Sequence, residues 1–131
     1  MITVTPIQDK AAQAAFCALC RIPYRAELLA YAAYNEKEEF AGICQFHINE
    51  TGGHLYDLAT PNESDENDAL FVMGRTALNF IDLCGGKIAY FEGDSAGKDA
   101  LLRRIGFTTD ENGRYRFPLE GFFTSPCKCG H

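Results

Sequence analysis

Residues 59–70 read ATPNESDENDAL, and four carboxylates, those of Glu63, Asp65, Glu66 and Asp68, fall within six positions of one another. The stretch lies between an apolar, strand-like segment and a helical one. Acidic side chains in a first helical turn meet free backbone N–H groups and the positive end of the helix dipole. A Ser64, Asp65 or Asn67 cap with that charge favours the helix by about 0.5–2 kcal/mol. The same density of charge also suits recruitment of a cation or an amine. A second reactive group closes the chain, where SPCKCGH sets Cys127, Cys129 and His131 at alternate positions. All three are soft or borderline ligands that could chelate Zn²⁺, and otherwise they leave two oxidisable thiols in a tail. A third is Cys17-x-x-Cys20, whose spacing projects both thiols from one side of a helix for packing.

The elements that must position these residues follow from the pattern of apolar positions. MITVTPI begins as a strand, and DKAAQAAFCALCR (9–21) is helical, with Asp9 as its cap and Pro23 ending the segment. LLAYAAY (28–34), FAGICQFHI (40–48) and HLYDLAT (54–60) are strand-like runs joined by NEKEE and NETGG, which predicts an antiparallel meander. On the last of these, strict alternation puts His54, Tyr56 and Leu58 on one face and Leu55, Asp57 and Ala59 on the other. Residues 68–84 have a helical period with Leu70, Phe71, Ala77, Leu78 and Ile81 on one face, and Gly85-Gly86 stops it. KIAYFEG (87–93) is a strand, SAGKDALLRRIGF (95–107) contains a short helix, and Glu111-Asn112-Gly113 turns a final hairpin. The order β-α-β-β-β-α-β-α-β-β predicts an α/β chain of α+β character, a mixed sheet with helices on its faces.

Composition bounds the partners. The chain has 131 residues, 47% of them hydrophobic, enough for one domain that buries roughly two-thirds of its unfolded surface. A net charge of −6 with scattered basic residues argues against a nucleic-acid surface. No apolar run reaches the roughly 20 residues that cross a bilayer, and the N-terminus lacks the pattern of a signal peptide, so a cytoplasmic protein is expected. The six cysteines are unevenly placed and read as reduced thiols, with Cys44 and Cys84 as small buried hydrophobes.

The element order, closing with a short helix that runs into Gly106-Phe107 and a hairpin, resembles the GNAT superfamily of acyl-CoA-dependent N-acyltransferases. The resemblance covers most of residues 1–123, a GNAT-like domain followed by a Cys/His-containing tail, 124–131. In that family a strand ending in valine-x-proline leads through an Arg or Gln, two residues and a glycine-x-glycine loop into the long helix. Laid on that pattern without a gap, Pro61 meets the proline and Ser64 the basic or amide position. Asn67 and Ala69 fall on the two glycines, and Val72 on the following leucine. A second family region carries an Asn, an Ala and a Tyr ahead of Gly-Phe. Counting back from Gly106 puts Ser95 on the Asn, Lys98 on the Ala, and Leu102 on the Tyr that often protonates the departing thiolate.

The resemblance implies acetyl-CoA or another acyl-CoA as co-substrate and a small-molecule or peptide amine as acceptor. It places the pantetheine arm along the backbone of Leu58, Ala59 and Thr60, and the pyrophosphate at Ser64, Asn67, Asp68 and Ala69, with Ser95 beyond. Family members carry a carboxylate base on this strand, which makes Asp57 the nearest equivalent, with Tyr56 and His47 as substitutes. The loop lacks the glycines that let a backbone approach an anion, and each carboxylate would repel a diphosphate by about 1–3 kcal/mol at a partly solvated site. Lys98 or Arg103 offsets one or two of them. The expected function is therefore a divergent N-acyltransferase. The alternatives are a non-catalytic binding or regulatory module on the same fold, and thiol or metal chemistry at the tail.

Overall fold

The alanine-rich stretch after Asp9 winds into α1 (Lys10–Leu19), and the Asp9 carboxylate accepts a hydrogen bond from the Ala11 amide at 3.0 Å. The helix stops before Pro23 is reached. Arg21 turns left-handed (φ 58°), and the amides of Arg21 and Ile22 return to the carbonyls of Ala18 and Cys17, the paired bonds of a Schellman motif. The chain then enters the meander β2 (Leu29–Tyr34), β3 (Phe40–Asn49) and β4 (Gly52–Ala59), preceded at the edge by β1 (Thr3–Pro6). The rest comprises α2 (Asn67–Leu83), β5 (Ile88–Phe91), α3 (Asp99–Ile105), β6 (Thr108–Thr109) and β7 (Tyr115–Pro118). This computed structural model describes residues 2–61 and 67–120, with Asn67 placed by its backbone alone. Glu63, Ser64, Asp65 and Glu66 lie outside the described residues, as do Phe122, Phe123 and the tail with Cys127, Cys129 and His131.

Seven strands form one mixed sheet in the order β1-β2-β3-β4-β5-β7-β6. Neighbours from β1 to β4 are antiparallel, β4 and β5 are parallel, and β7 pairs antiparallel with both β5 and β6. The expected element order and mixed α/β class are those observed. The main core lies between the sheet and α2 with α3, where Phe46, Leu55, Leu58, Met73, Leu78, Ile81, Leu102 and Ile105 are almost wholly buried. On the opposite face α1 closes a smaller cluster of Cys17, Cys20 and Ile43.

Two sequence expectations are corrected. Cys44 is buried as expected, but Cys84, in the turn after α2, is exposed. Phe71 packs against the core on the expected stripe of α2, and the guanidinium of Arg104 covers its ring at 4.4 Å. The second correction concerns β4. Cys44 pairs with Leu58 and Gln45 with Asp57, but the next partner of β4 to β3 is Leu55 opposite Phe46. Tyr56 is therefore the extra residue of a β-bulge, and the parity of the strand changes across it. Leu55 and Leu58 both enter the α2 core, while His54, Asp57 and Ala59 share the other face.

Candidate active site

The bulge sits where two parallel strands part company. β4 and β5 pair only over Gly53–Leu55 and Ala89–Phe91, and the last rung is the Glu92 amide on the Leu55 carbonyl at 2.7 Å. At the next step Gly93 is pressed so close to Tyr56 that a Cβ there would lie 2.0 Å from the Tyr56 carbonyl oxygen. Beyond it the strands diverge. Tyr56, Asp57, Leu58 and Ala59 on one wall and Phe91, Asp94 and Lys98 on the other line a slot of about 340 Å³, with Ile22, Pro23 and Arg25 at its mouth. Residues 57–59 pair with β3 on one side only, so their other backbone edge faces the slot.

Asp57 is nearly buried and held from two directions. Its Oδ2 accepts from Arg25 Nε at 2.9 Å and from Gln45 Nε2 at 2.7 Å. Gln45 Oε1 in turn accepts from Gln13 Nε2 at 2.9 Å and from the Arg25 amide at 3.1 Å. These bonds tie the irregular segment after α1 to β3 and β4. They leave Asp57 Oδ1 without a hydrogen bond among the described residues. The Arg25 guanidinium also lies over the Tyr56 ring at 5.3 Å.

A second polar group surrounds the vertex of the slot. His54 Nδ1 meets Glu92 Oε2 at 2.6 Å, its Nε2 meets the Thr51 hydroxyl at 2.8 Å, and its ring stacks on Tyr90 at 5.5 Å. Arg114 donates to the same Glu92 oxygen at 2.7 Å. Burial pushes the Glu92 carboxyl up, but the hydrogen bonds from His54 and Arg114 outweigh it and hold the group below its ordinary value. The thiols of Cys17 and Cys20 are pushed up to about 11 and about 12 by burial, so both are un-ionised at neutral pH.

The fold thus brings Tyr56, Asp57, Leu58 and Ala59 together with Lys98, while Thr60 lies just past β4. Asp68 and Ala69 stand in the first turn of α2. Ala69 is buried, and the exposed Asp68 carboxylate pairs with Arg104 at 3.1 Å. Ser95 lies in the turn before α3, where its carbonyl accepts from the Lys98 amide at 2.9 Å, and the Tyr115 hydroxyl donates to Asp99 at 2.6 Å. Arg103 pairs with Asp99 at 3.0 Å. Leu102 is completely buried. His47 sits opposite His54 across the β3–β4 pair, outside the slot, as does Tyr90. Sequence reasoning missed Arg25, Gln13, Gln45 and Glu92. Only Gln45 carried a signal, as the one amide inside an apolar strand run. Among the described residues no three His, Cys, Asp or Glu side chains gather as a metal site, and no helix is long and apolar enough to cross a membrane.

No protein-family model matches the sequence, and no curated protein matches it. Solved structures do match. The ribosomal-protein alanine N-acetyltransferase of Escherichia coli aligns over 91% of this chain and 94% of its own, with a TM-score of 0.66 at 12% identity. A GNAT-family N-acetyltransferase of Escherichia coli, solved with CoA, gives 0.66 at 15% identity over 91% and 81%. A chimeric spermidine N-acetyltransferase from Vibrio cholerae gives 0.69 at 11% identity over 91% and 96%. The chain has the GNAT fold. The splayed strands are β4 and β5, and α2 is the helix that follows β4. Leu102 of α3, expected from the resemblance at the family's tyrosine position, is buried and has no hydroxyl.

Proposed function

We propose that this protein is an acyl-CoA-dependent N-acyltransferase acting on a small-molecule or peptide amine. The observation that carries the reading is the slot itself. A parallel strand pair opened at Leu55/Glu92, with an unpaired β4 edge from Asp57 to Ala59, offers backbone donors and acceptors to an extended amide-bearing chain. Pantetheine is such a chain, so the residues fit that part of the co-substrate. Leu58, Ala59 and Thr60 would hold it, and the first turn of α2, with Asn67, Asp68 and Ala69, would face its phosphates. The one carboxylate described there, Asp68, is already neutralised by Arg104, which lessens the expected repulsion. Acyl-CoA supplies an activated thioester carbonyl when bound.

The chain's own part is to orient and deprotonate the acceptor. Asp57 presents Oδ1 on the β4 wall, where a carboxylate attracts an ammonium. The ammonium first gives one proton to solvent to free its lone pair, and Asp57 takes a second as the amine nitrogen attacks. Arg25 and Gln45 fix the carboxylate, and Tyr56 forms the adjoining wall. Isothermal titration with acetyl-CoA and with free CoA tests the reading, with binding in the micromolar range expected. No heat at millimolar ligand would sink it. One observation favours a binding-only module on the same scaffold: Asp57 Oδ2 is already taken up by Arg25 and Gln45, as a structural tie would be. CoA binding without acetyl transfer to a panel of polyamines and peptide N-termini would select that second reading.

A further inference from the structure

Among the described residues, Lys98 is the one cation lining the slot that is not already committed. Arg25 donates its Nε to Asp57. Asp94, on the same wall as Lys98, accepts from the Ala96 amide at 3.0 Å. Lys98 is half-buried, and among the described residues its ammonium has neither a hydrogen bond nor an ion pair. The groups around it that could quench a negative charge are otherwise engaged or apolar. The Tyr115 hydroxyl is spent on Asp99, and Leu102, one turn further along α3, is sealed in the core. Asp94 and Asp57 share the slot with it, yet neither forms an ion pair with it, so the Lys98 ammonium is free to pair with an anion that enters the slot.

We propose that Lys98 is the counter-ion of the departing thiolate. This assignment rests on the acyltransferase reading and adds to it the group that receives the leaving sulfur. In the transfer the acceptor nitrogen forms its bond to the acyl carbon while the carbon–sulfur bond breaks with its electron pair on sulfur. The nitrogen's proton goes to Asp57 and on to solvent. Sulfur stays anionic against Lys98 Nζ until it takes a proton from solvent and leaves as the thiol. Lys98 itself need not lose a proton, so Arg can stand in for it.

The test uses free CoA and no acceptor. The short-wavelength ultraviolet thiolate band of CoA bound to the protein is titrated against pH, as a difference from the protein alone. A cation within about 4–6 Å lowers the midpoint of a neighbouring acid by about 1–2 on the pH scale, a tenfold to hundredfold gain in thiolate at neutral pH. The wild-type complex should show that displacement from free CoA, Lys98→Met should abolish it, and Lys98→Arg should keep most of it. Tyr56→Phe should also keep it. Circular dichroism and thermal unfolding of each variant report folding, and calorimetry reports CoA affinity separately. A wild-type midpoint equal to that of free CoA overturns the assignment, as does a displacement that survives Lys98→Met or disappears in Tyr56→Phe. Lost affinity in Lys98→Met with an unchanged thiol midpoint would place Lys98 on another part of CoA and equally overturn it. No CoA binding to the wild type would instead refute the acyltransferase reading.

Discussion

Glu92 holds two partners on one oxygen at the vertex of the slot, His54 at 2.6 Å and Arg114 at 2.7 Å. Its folded-state pKa is lowered, so its stabilisation is fully present above the ordinary value of 4.5 and is lost as pH falls through the lowered one. Glu92→Gln should therefore lower stability at pH 7, by about 1 kcal/mol given its partial exposure, and the gap to wild type should narrow at pH 3. Urea unfolding at both values checks this, and an equal gap at pH 3 would show that charge is not the cause. At Asp57 the expectation concerns rate. Asp57→Asn keeps the side chain's shape and should lower acetyl transfer tenfold or more with CoA affinity unchanged. An unchanged rate would dismiss Asp57 as the base. Gly93→Ala belongs here too, since its Cβ would strike the Tyr56 carbonyl. The vertex must shift, at a cost of about 1–3 kcal/mol in thermal unfolding and a measurable loss of CoA affinity.

Among the elements, β4 departs most from what its sequence suggests. Alternation along HLYDLAT assigns Leu58 to the face of His54, and the bulge at Tyr56 reverses this. A bulge leaves no local mark here, because Leu55, Leu58 and their neighbours are apolar on either count. Only the register against β3 decides. The slot wall was thus legible as a set of residues and not as a set of directions. In α3, Gly106 ends the helix at φ 130° with the Phe117 ring where a Cβ would go. Gly106→Ala should destabilise by about 1–3 kcal/mol in chemical denaturation, through both strain and the clash. The pairing of Asp68 with Arg104 joins the first turn of α2 to α3. Arg104→Ala would unmask the Asp68 carboxylate and should weaken CoA binding by up to about fivefold, an effect that 0.5 M salt should reduce.

For the molecule as a whole, element order was legible because most segments mark themselves plainly: a strand-like apolar run in 40–48, a 3.6-residue repeat in 68–84, glycine stops after α2 and α3. What stayed hidden depends on distant pairs. Arg25 reaches Asp57 across 32 positions, and His54 reaches Glu92 across 38. Neither separation carries a local pattern. The parallel pairing of β4 with β5 likewise follows from α2 crossing the sheet, and the rung at which it ends has no sequence mark. That rung has a consequence of its own. From Leu55 to Ala59 the strand runs four residues, about 13 Å at roughly 3.3 Å per residue. The junction therefore works as the zero of a ruler, against which the length of a bound chain is measured. An extra rung between β4 and β5 would shorten the usable depth by one division, about 3.3 Å, and exclude the longer acyl groups first.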